Sequence, residues 1–105
     1  MDQSVAIGIY IAQYKLRIRM IRIETSVRRD RVIFTVIGRI ESNSLPELKR
    51  LIESHNTPVI LDLKGVKLVD REVVAFLADF EADNGRITNC PTYIREWIRR
   101  ERPER

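Results

Sequence analysis

The spacing of apolar and polar residues predicts where the folded domain begins. Residues 15–19 alternate strictly, and the alternation shifts by one residue after Met20. A shift of one residue turns side chains to the opposite face of a sheet. We therefore predict a domain over residues 20–100, preceded by an extension of residues 1–19 and followed by a charged tail of residues 101–105.

The extension itself has the pattern of a strand, with Ile7, Ile9 and Ile11 on one side. An extra strand leaves an unpaired edge, which a homodimer formed through this strand would satisfy. Residues 5–12 are the longest apolar run, and they are far short of the ~20 residues that cross a bilayer. The sequence therefore predicts no membrane span and no export, which favours a cytoplasmic protein.

The remaining apolar pattern predicts an α/β domain. Period-two and continuous apolar runs indicate strands, and apolar residues spaced three and four apart indicate helices. Strands separated by helices favour a mostly parallel central sheet, here with an N-terminal hairpin and the order ββαβαβα. The predicted strands cover residues 21–27, 32–37, 59–63 and 86–90, and the predicted helices begin near Ser44, Asp70 and Pro91.

Local signals fix the ends of these elements. Ser44 and Glu47 have the spacing of a capping box, and Asp70 is a good N-cap for the second helix. Lys64-Gly65 is predicted to turn the chain after the third strand. Tyr93 and Trp97, four residues apart on the last helix, are predicted to anchor the core.

Charge and composition narrow the function classes. The chain has 105 residues and a net charge of +4, and residues 1–31 carry that whole excess, with seven basic and three acidic residues. Because the rest of the domain is neutral, the sequence does not predict a nucleic-acid-binding surface. Hydrophobic residues make up 44% and charged residues 32%, which is typical of one soluble globular domain.

Catalytic and metal chemistry find little support. A single cysteine, Cys90, and a single histidine, His55, exclude an internal disulfide and any two-histidine metal motif. Cys90 fits a packed apolar residue better than a reactive thiol. Asp62 fits a carboxylate that binds loop amides, and Asp70 fits a helix cap. We therefore expect neither an enzyme nor a bound metal or cofactor.

Residues 61–70 read Leu-Asp-Leu-Lys-Gly-Val-Lys-Leu-Val-Asp, and this stretch resembles the STAS domain (sulfate transporter and anti-sigma factor antagonist). The family has a strand ending in Asp-Leu-Ser-x-Val, a hydrophobic pair, and Asp-Ser-Ser-Gly opening a helix. Residues 36–40, Val-Ile-Gly-Arg-Ile, resemble its Gly-Arg/Glu-Leu/Ile-Asp segment. The resemblance covers residues 21–100 and implies a STAS-like fold. The matching residues are Asp62, Leu63, Val66, Leu68, Val69, Asp70 and Leu77.

The chain departs from the family at the residues that carry its switch. In the phospho-regulated members, two hydroxyl residues follow the capping aspartate, and the second accepts phosphate. Arg71 and Glu72 hold those places here, and Val73 replaces the glycine after them. Neither Arg71 nor Glu72 can accept phosphate, so we expect no phosphorylation switch at this helix.

The resemblance implies a non-catalytic regulatory module that binds another protein. Its partner would be an anti-sigma factor kinase or a related signalling assembly in a bacterium. The alternative is a ligand-binding or accessory domain of a lipid or anion transport system, which a cavity under the last helix would favour. The residues expected to bind a protein partner are Asp70, Arg71, Glu72, Arg39, Glu41 and Ser42.

Overall fold

Two strands form an antiparallel hairpin at the start of the computed structural model, which describes residues 21–101. In the first strand, buried Ile21, Ile23 and Thr25 alternate with more exposed residues, as the period-two pattern predicts. The strand predicted within residues 1–19 and a homodimer formed through it lie outside the described residues.

Seven regular elements and one short 3₁₀ turn follow one another along the described chain. They are β1 Ile21–Val27, β2 Val32–Ile40, the 3₁₀ turn Ser42–Ser44, α1 Leu45–Glu53, β3 Val59–Val69, α2 Arg71–Ala82, β4 Arg86–Thr88 and α3 Thr92–Glu101.

The four strands form one sheet in the order β1-β2-β3-β4. β1 and β2 are antiparallel, whereas β2, β3 and β4 are parallel. Because both crossovers move the same way across the sheet, right-handed connections place α1 and α2 on one face. α3 packs there too, since Ile94 and Ile98 are buried in the same cluster as Phe34 and Leu61. The predicted α/β class, with its mostly parallel sheet and N-terminal hairpin, is confirmed.

β3 is longer than predicted, because Lys64-Gly65 does not turn the chain. Thr35 pairs with Asp62 but Ile37 pairs with Gly65, so β3 contains one residue more than β2 over this interval. Such a bulge bends a strand without ending it. A Cβ atom at Gly65 would lie 2.9 Å from Cγ1 of Ile37, so only glycine fits this close approach without a shift.

A second bulge follows at Gly38, where β2 was predicted to end. Gly38 pairs with Val66 and Arg39 with Leu68, so β3 again contains one extra residue. Gly38 has φ 108°, which glycine adopts without the steric cost of a side chain. The two bulges therefore keep β2 and β3 paired as far as Ile40 and Val69.

The capping box predicted for α1 is not formed. Ser44 has helical dihedral angles, φ −92° and ψ −13°, and its side chain makes no capping hydrogen bond. It ends the 3₁₀ turn, and its N–H donates to the Glu41 carbonyl over 2.8 Å. A capping serine needs an extended backbone, so the 3₁₀ turn replaces the cap at this helix start. α1 ends at Glu53.

The C-terminal part of the structure differs from the sequence-based prediction in two details. β4 ends at Thr88 instead of reaching Cys90, because Asn89 takes a left-handed conformation with φ 52°. Tyr93 was predicted to anchor the core, but 46% of it is exposed. The buried residues of α3 are Ile94 and Ile98. Trp97 packs against the core only in part.

Candidate functional site

Asp70 joins two segments at the carboxyl end of the sheet. It follows β3 directly and has an extended backbone, φ −109° and ψ 178°. One carboxylate oxygen, Oδ1, accepts a hydrogen bond from the Val73 N–H over 3.1 Å, which caps α2 as predicted. The other, Oδ2, accepts from the Ser42 N–H over 2.8 Å. The carboxylate therefore fixes the loop after β2 against the start of α2.

The β2–β3 pairing brings the other expected partner-binding residues to the same end of the sheet. Ile40 pairs with Val69, so the residues on either side of Ile40 lie beside the end of β3. Arg39 is exposed, whereas Glu41 and Ser42 are half-buried. Binding sites of parallel sheets commonly lie at this carboxyl end, where the strands end and the loops begin.

Arg71 and Glu72 form the exposed first turn of α2. Glu72 suits this position, since a negative charge is favourable at a helix N-terminus. Arg71 lies 3.6 Å from Glu101, measured between Nε and Oε2, and 76% of the Arg71 side chain is exposed. An ion pair this exposed contributes little stability, so Arg71 is available to a partner.

Asp62 has a structural role in the loops beside the sheet. Its Oδ1 accepts hydrogen bonds from the Lys64 N–H and from Nδ2 of Asn89, both over 3.1 Å. The first bond lies within the bulge of β3, and the second ties the loop after β4 to the strand. Across residues 21–101, no three His, Cys, Asp or Glu side chains converge as metal ligands would.

Two apolar residues near the end of β3 are exposed, and the sequence did not predict this exposure. Leu68 is 44% exposed and Tyr93 is 46% exposed. The Tyr93 hydroxyl donates to the Lys67 carbonyl over 2.9 Å, which holds its ring beside the end of β3. The signal available was the spacing of Ile94 and Ile98, which defines the buried stripe of α3 and leaves Tyr93 at its margin.

α3 is held on α2 by a charged pair. Arg95 donates from both terminal nitrogens to the two carboxylate oxygens of Glu81, over 2.8 and 2.9 Å. This hydrogen bonding raises the pKa of Arg95 above its usual value. Burial raises the pKa of the neighbouring Cys90 thiol, with a smaller opposing effect of Arg95. A raised thiol pKa fits the predicted packing role of Cys90 and not a reactive thiolate.

A cleft of about 540 Å³ lies at the end of the sheet opposite to Asp70. It opens between the β1–β2 turn, the end of α1, the end of α2 and the start of β4, and Arg31, His55, Phe80 and Arg86 are among its lining residues. None of its lining residues belongs to α3, so it is not the cavity under the last helix that the transport alternative anticipates.

Comparison with known proteins assigns no family to the chain. No protein-family model matches it, and no significant match was found among curated proteins. The helices described within residues 21–101 are all too short or too polar to cross a membrane.

Proposed function

We propose that this chain is a non-catalytic regulatory module with a STAS-like fold, and that it binds a protein partner. Its binding surface comprises Asp70, Arg71 and Glu72 with Arg39, Glu41 and Ser42. The observation that carries the proposal is the Asp70 carboxylate, which hydrogen-bonds to Ser42 and Val73 at once. Two segments far apart in the sequence thereby present one ordered surface. As the STAS resemblance implies, the partner is an anti-sigma factor kinase or a related signalling assembly.

Binding at this surface is constitutive in our proposal. Arg71 and Glu72 carry no hydroxyl group, and Glu72 already places a fixed negative charge at the start of α2. The nearby serines are poor substitutes, since Ser44 is 3% exposed and the Ser42 N–H is bound to Asp70. A phosphate on Ser42 would meet the negative Asp70 carboxylate.

A charge exchange tests the surface without changing the net charge. We would purify the full chain and its Arg71→Glu, Glu72→Arg variant on affinity resin from native cell extract, and identify the retained proteins by mass spectrometry. The matched control is Asp30→Arg, Arg31→Asp. It exchanges an exposed ion pair of two adjacent residues, 3.3 Å apart, in the β1–β2 turn at the opposite end of the sheet.

The expected result is an anti-sigma factor kinase or sigma-regulatory protein retained by the native chain and by the control, and lost from the α2 variant. Each retained protein is then purified and its binding to the three chains is titrated. Retention of nothing but the chain itself would contradict the proposal. Phosphorylation of the chain by that kinase, followed by release, would contradict constitutive binding.

A second candidate function is the ligand-binding or accessory domain of a lipid or anion transport system. The cleft of about 540 Å³ favours it, because its lining combines the apolar ring of Phe80 with charged groups of both signs, Arg31 and Arg86 with Asp30 and Asp83. Native mass spectrometry of the purified chain tests this candidate. A bound small molecule that is lost in an Arg86→Glu variant supports it, and a mass equal to that of the bare chain counts against it.

A further inference from the structure

After Asp62, one side of β3 has no neighbouring strand within the described residues. β4 pairs only with residues 60–62, whereas β2 accompanies β3 as far as Val69. Beyond Asp62, no strand of residues 21–101 therefore lies on the outer side of β3. The Asn89 side chain and the Tyr93 hydroxyl each contribute one hydrogen bond along this side.

Leu68 and Tyr93 are two exposed apolar residues beside this part of β3. Each is nearly half exposed, and Tyr93 is tied to the carbonyl of Lys67, the residue before Leu68. A tyrosine whose hydroxyl is already bound loses little freedom when a partner covers its ring. Val27, the other large exposed apolar residue of the described chain, lies at the end of the distant strand β1.

Three basic side chains lie on β3 and on its neighbour β2 near Leu68. Lys64 and Lys67 belong to the exposed part of β3, and Arg39 is the register partner of Leu68. None of the three forms an ion pair with another residue in the 21–101 range, whereas six arginines of that range do. The carboxylate of Asp62, in the same strand, already accepts two hydrogen bonds.

We propose that Leu68 and Tyr93 are the apolar anchor of the partner-binding surface, and that the partner inserts an apolar side chain from an acidic segment. We call Leu68, Tyr93, Lys64, Lys67 and Arg39 the edge patch. Its cations are unpaired within the described chain, so carboxylates of the partner complement them, and its two apolar residues supply the area to be buried. The inference rests on the proposed function, and it names the chemistry of the partner.

Peptide selection tests this chemistry without knowledge of the partner. A random dodecamer library displayed on phage is selected against the immobilised full chain. Enriched peptides are synthesised and titrated by fluorescence anisotropy. We expect acidic peptides that contain a large apolar residue. Leu68→Asp and Lys67→Glu should each weaken their binding at least about tenfold, because the first removes an apolar anchor and the second reverses a cation that faces the acidic peptide.

Matched controls separate the edge patch from general effects of charge and folding. Val27→Asp makes the same kind of change at an apolar residue that is 47% exposed, and Arg28→Glu reverses an exposed charge in the β1–β2 turn. Both should leave peptide affinity unchanged. Circular dichroism melts must show that the Leu68 and Lys67 variants remain folded, as expected for exposed positions.

Several results would overturn the inference. Neutral or basic peptides would do so, and so would peptides that bind the Leu68→Asp variant as tightly as the native chain. A dimer that sedimentation detects without peptide, and that Leu68→Asp dissociates, would assign the patch to a second copy of the chain.

Binding of the native partner to the variants shows whether the edge patch or the proposed function is wrong. Loss of that partner in the Arg71→Glu, Glu72→Arg variant, with full binding to Leu68→Asp, supports the proposed function and overturns the edge patch. Absence of any native partner overturns the proposed function, whichever peptides are selected.

Discussion

At the scale of single residues, Asp70 has the largest structural consequence for the candidate site. Its two carboxylate oxygens accept from amides that belong to different segments, and Ser42 lies 28 residues away in the sequence. A carboxylate bound to two amides caps a helix and positions a loop with one side chain. The arrangement of the surface proposed to bind a partner therefore depends on Asp70.

Replacing Asp70 should weaken both the fold and the loop. We expect Asp70→Ala to lower the free energy of unfolding by about 2 kcal/mol, because α2 loses its cap and the Ser42 N–H loses its acceptor. Urea denaturation measures the first effect, and faster hydrogen exchange at the Ser42 amide reports the second. Asp79→Ala, on the exposed side of the same helix, should stay within about 0.5 kcal/mol of the native chain. Unchanged exchange at Ser42 would show that Asp70 does not hold the loop.

Thr25 is a residue at which the sequence is not optimal for stability. It is 6% exposed on the core side of β1, and its hydroxyl finds no hydrogen-bond partner within residues 21–101. Thr25→Val removes that hydroxyl at nearly constant shape. It should raise the free energy of unfolding by about 1 kcal/mol, measured by urea denaturation. Thr35→Val, on the opposite and more exposed face of β2, is the control, for which we expect little change. A destabilised Thr25→Val chain would mean that the hydroxyl is bound after all.

At the scale of elements, the two bulges of β3 determine where the site lies. Without them, the residues after β2 would not meet the start of α2, because Asp70 follows the last pair, Ile40 and Val69. The first bulge depends on Gly65, whose missing Cβ leaves room for Ile37.

Gly65→Ala tests this dependence. The added Cβ would lie 2.9 Å from Cγ1 and 3.3 Å from Cα of Ile37, so the Ile37 side chain or one of the two strands must shift. We expect a loss of about 1–2 kcal/mol in the free energy of unfolding. The same substitution in an Ile37→Ala background should cost less, since Cγ1 is then absent. Equal losses in both backgrounds, compared in a double-mutant cycle by urea denaturation, would show that Ile37 does not set the constraint.

At the scale of the whole molecule, the sequence predicted the class of fold better than the candidate site. Elements with a clear period, such as β1 and the core of α2, lie where the pattern placed them. The bulges were missed because Lys64-Gly65 is a turn signal locally, and only pairing with β2 keeps it extended. Leu68 and Tyr93 were missed because their exposure depends on those bulges and on where α3 packs. The bulges and the exposure of Leu68 have no local signature in the sequence, whereas the spacing of Ile94 and Ile98 does place Tyr93 at the margin of the buried stripe.

Within residues 21–101, the distribution of charge supports the proposed protein partner over a nucleic acid. Although the chain is basic overall, the arginines at positions 22, 31, 50, 71, 95 and 99 each lie beside a carboxylate. These pairs divide the positive charge among separate sites, whereas a duplex needs a continuous basic stripe. The unpaired cations of the edge patch accompany two exposed apolar residues, which suits the acidic segment proposed for the partner.

We therefore expect the full chain to bind duplex DNA or RNA with a dissociation constant above about 100 μM near about 150 mM salt. This affinity is weaker than that of usual non-specific binding. Fluorescence anisotropy with labelled duplexes measures this, with a salt titration beside it. A chain carrying Lys64→Glu and Lys67→Glu provides the comparison, because these residues supply two of the three edge-patch cations. Tight binding that falls steeply with salt and disappears in that variant would show that the patch recognises phosphate instead of carboxylate. Weak binding that is the same for both chains, together with capture of acidic peptides by the native chain alone, is the result that this charge distribution predicts.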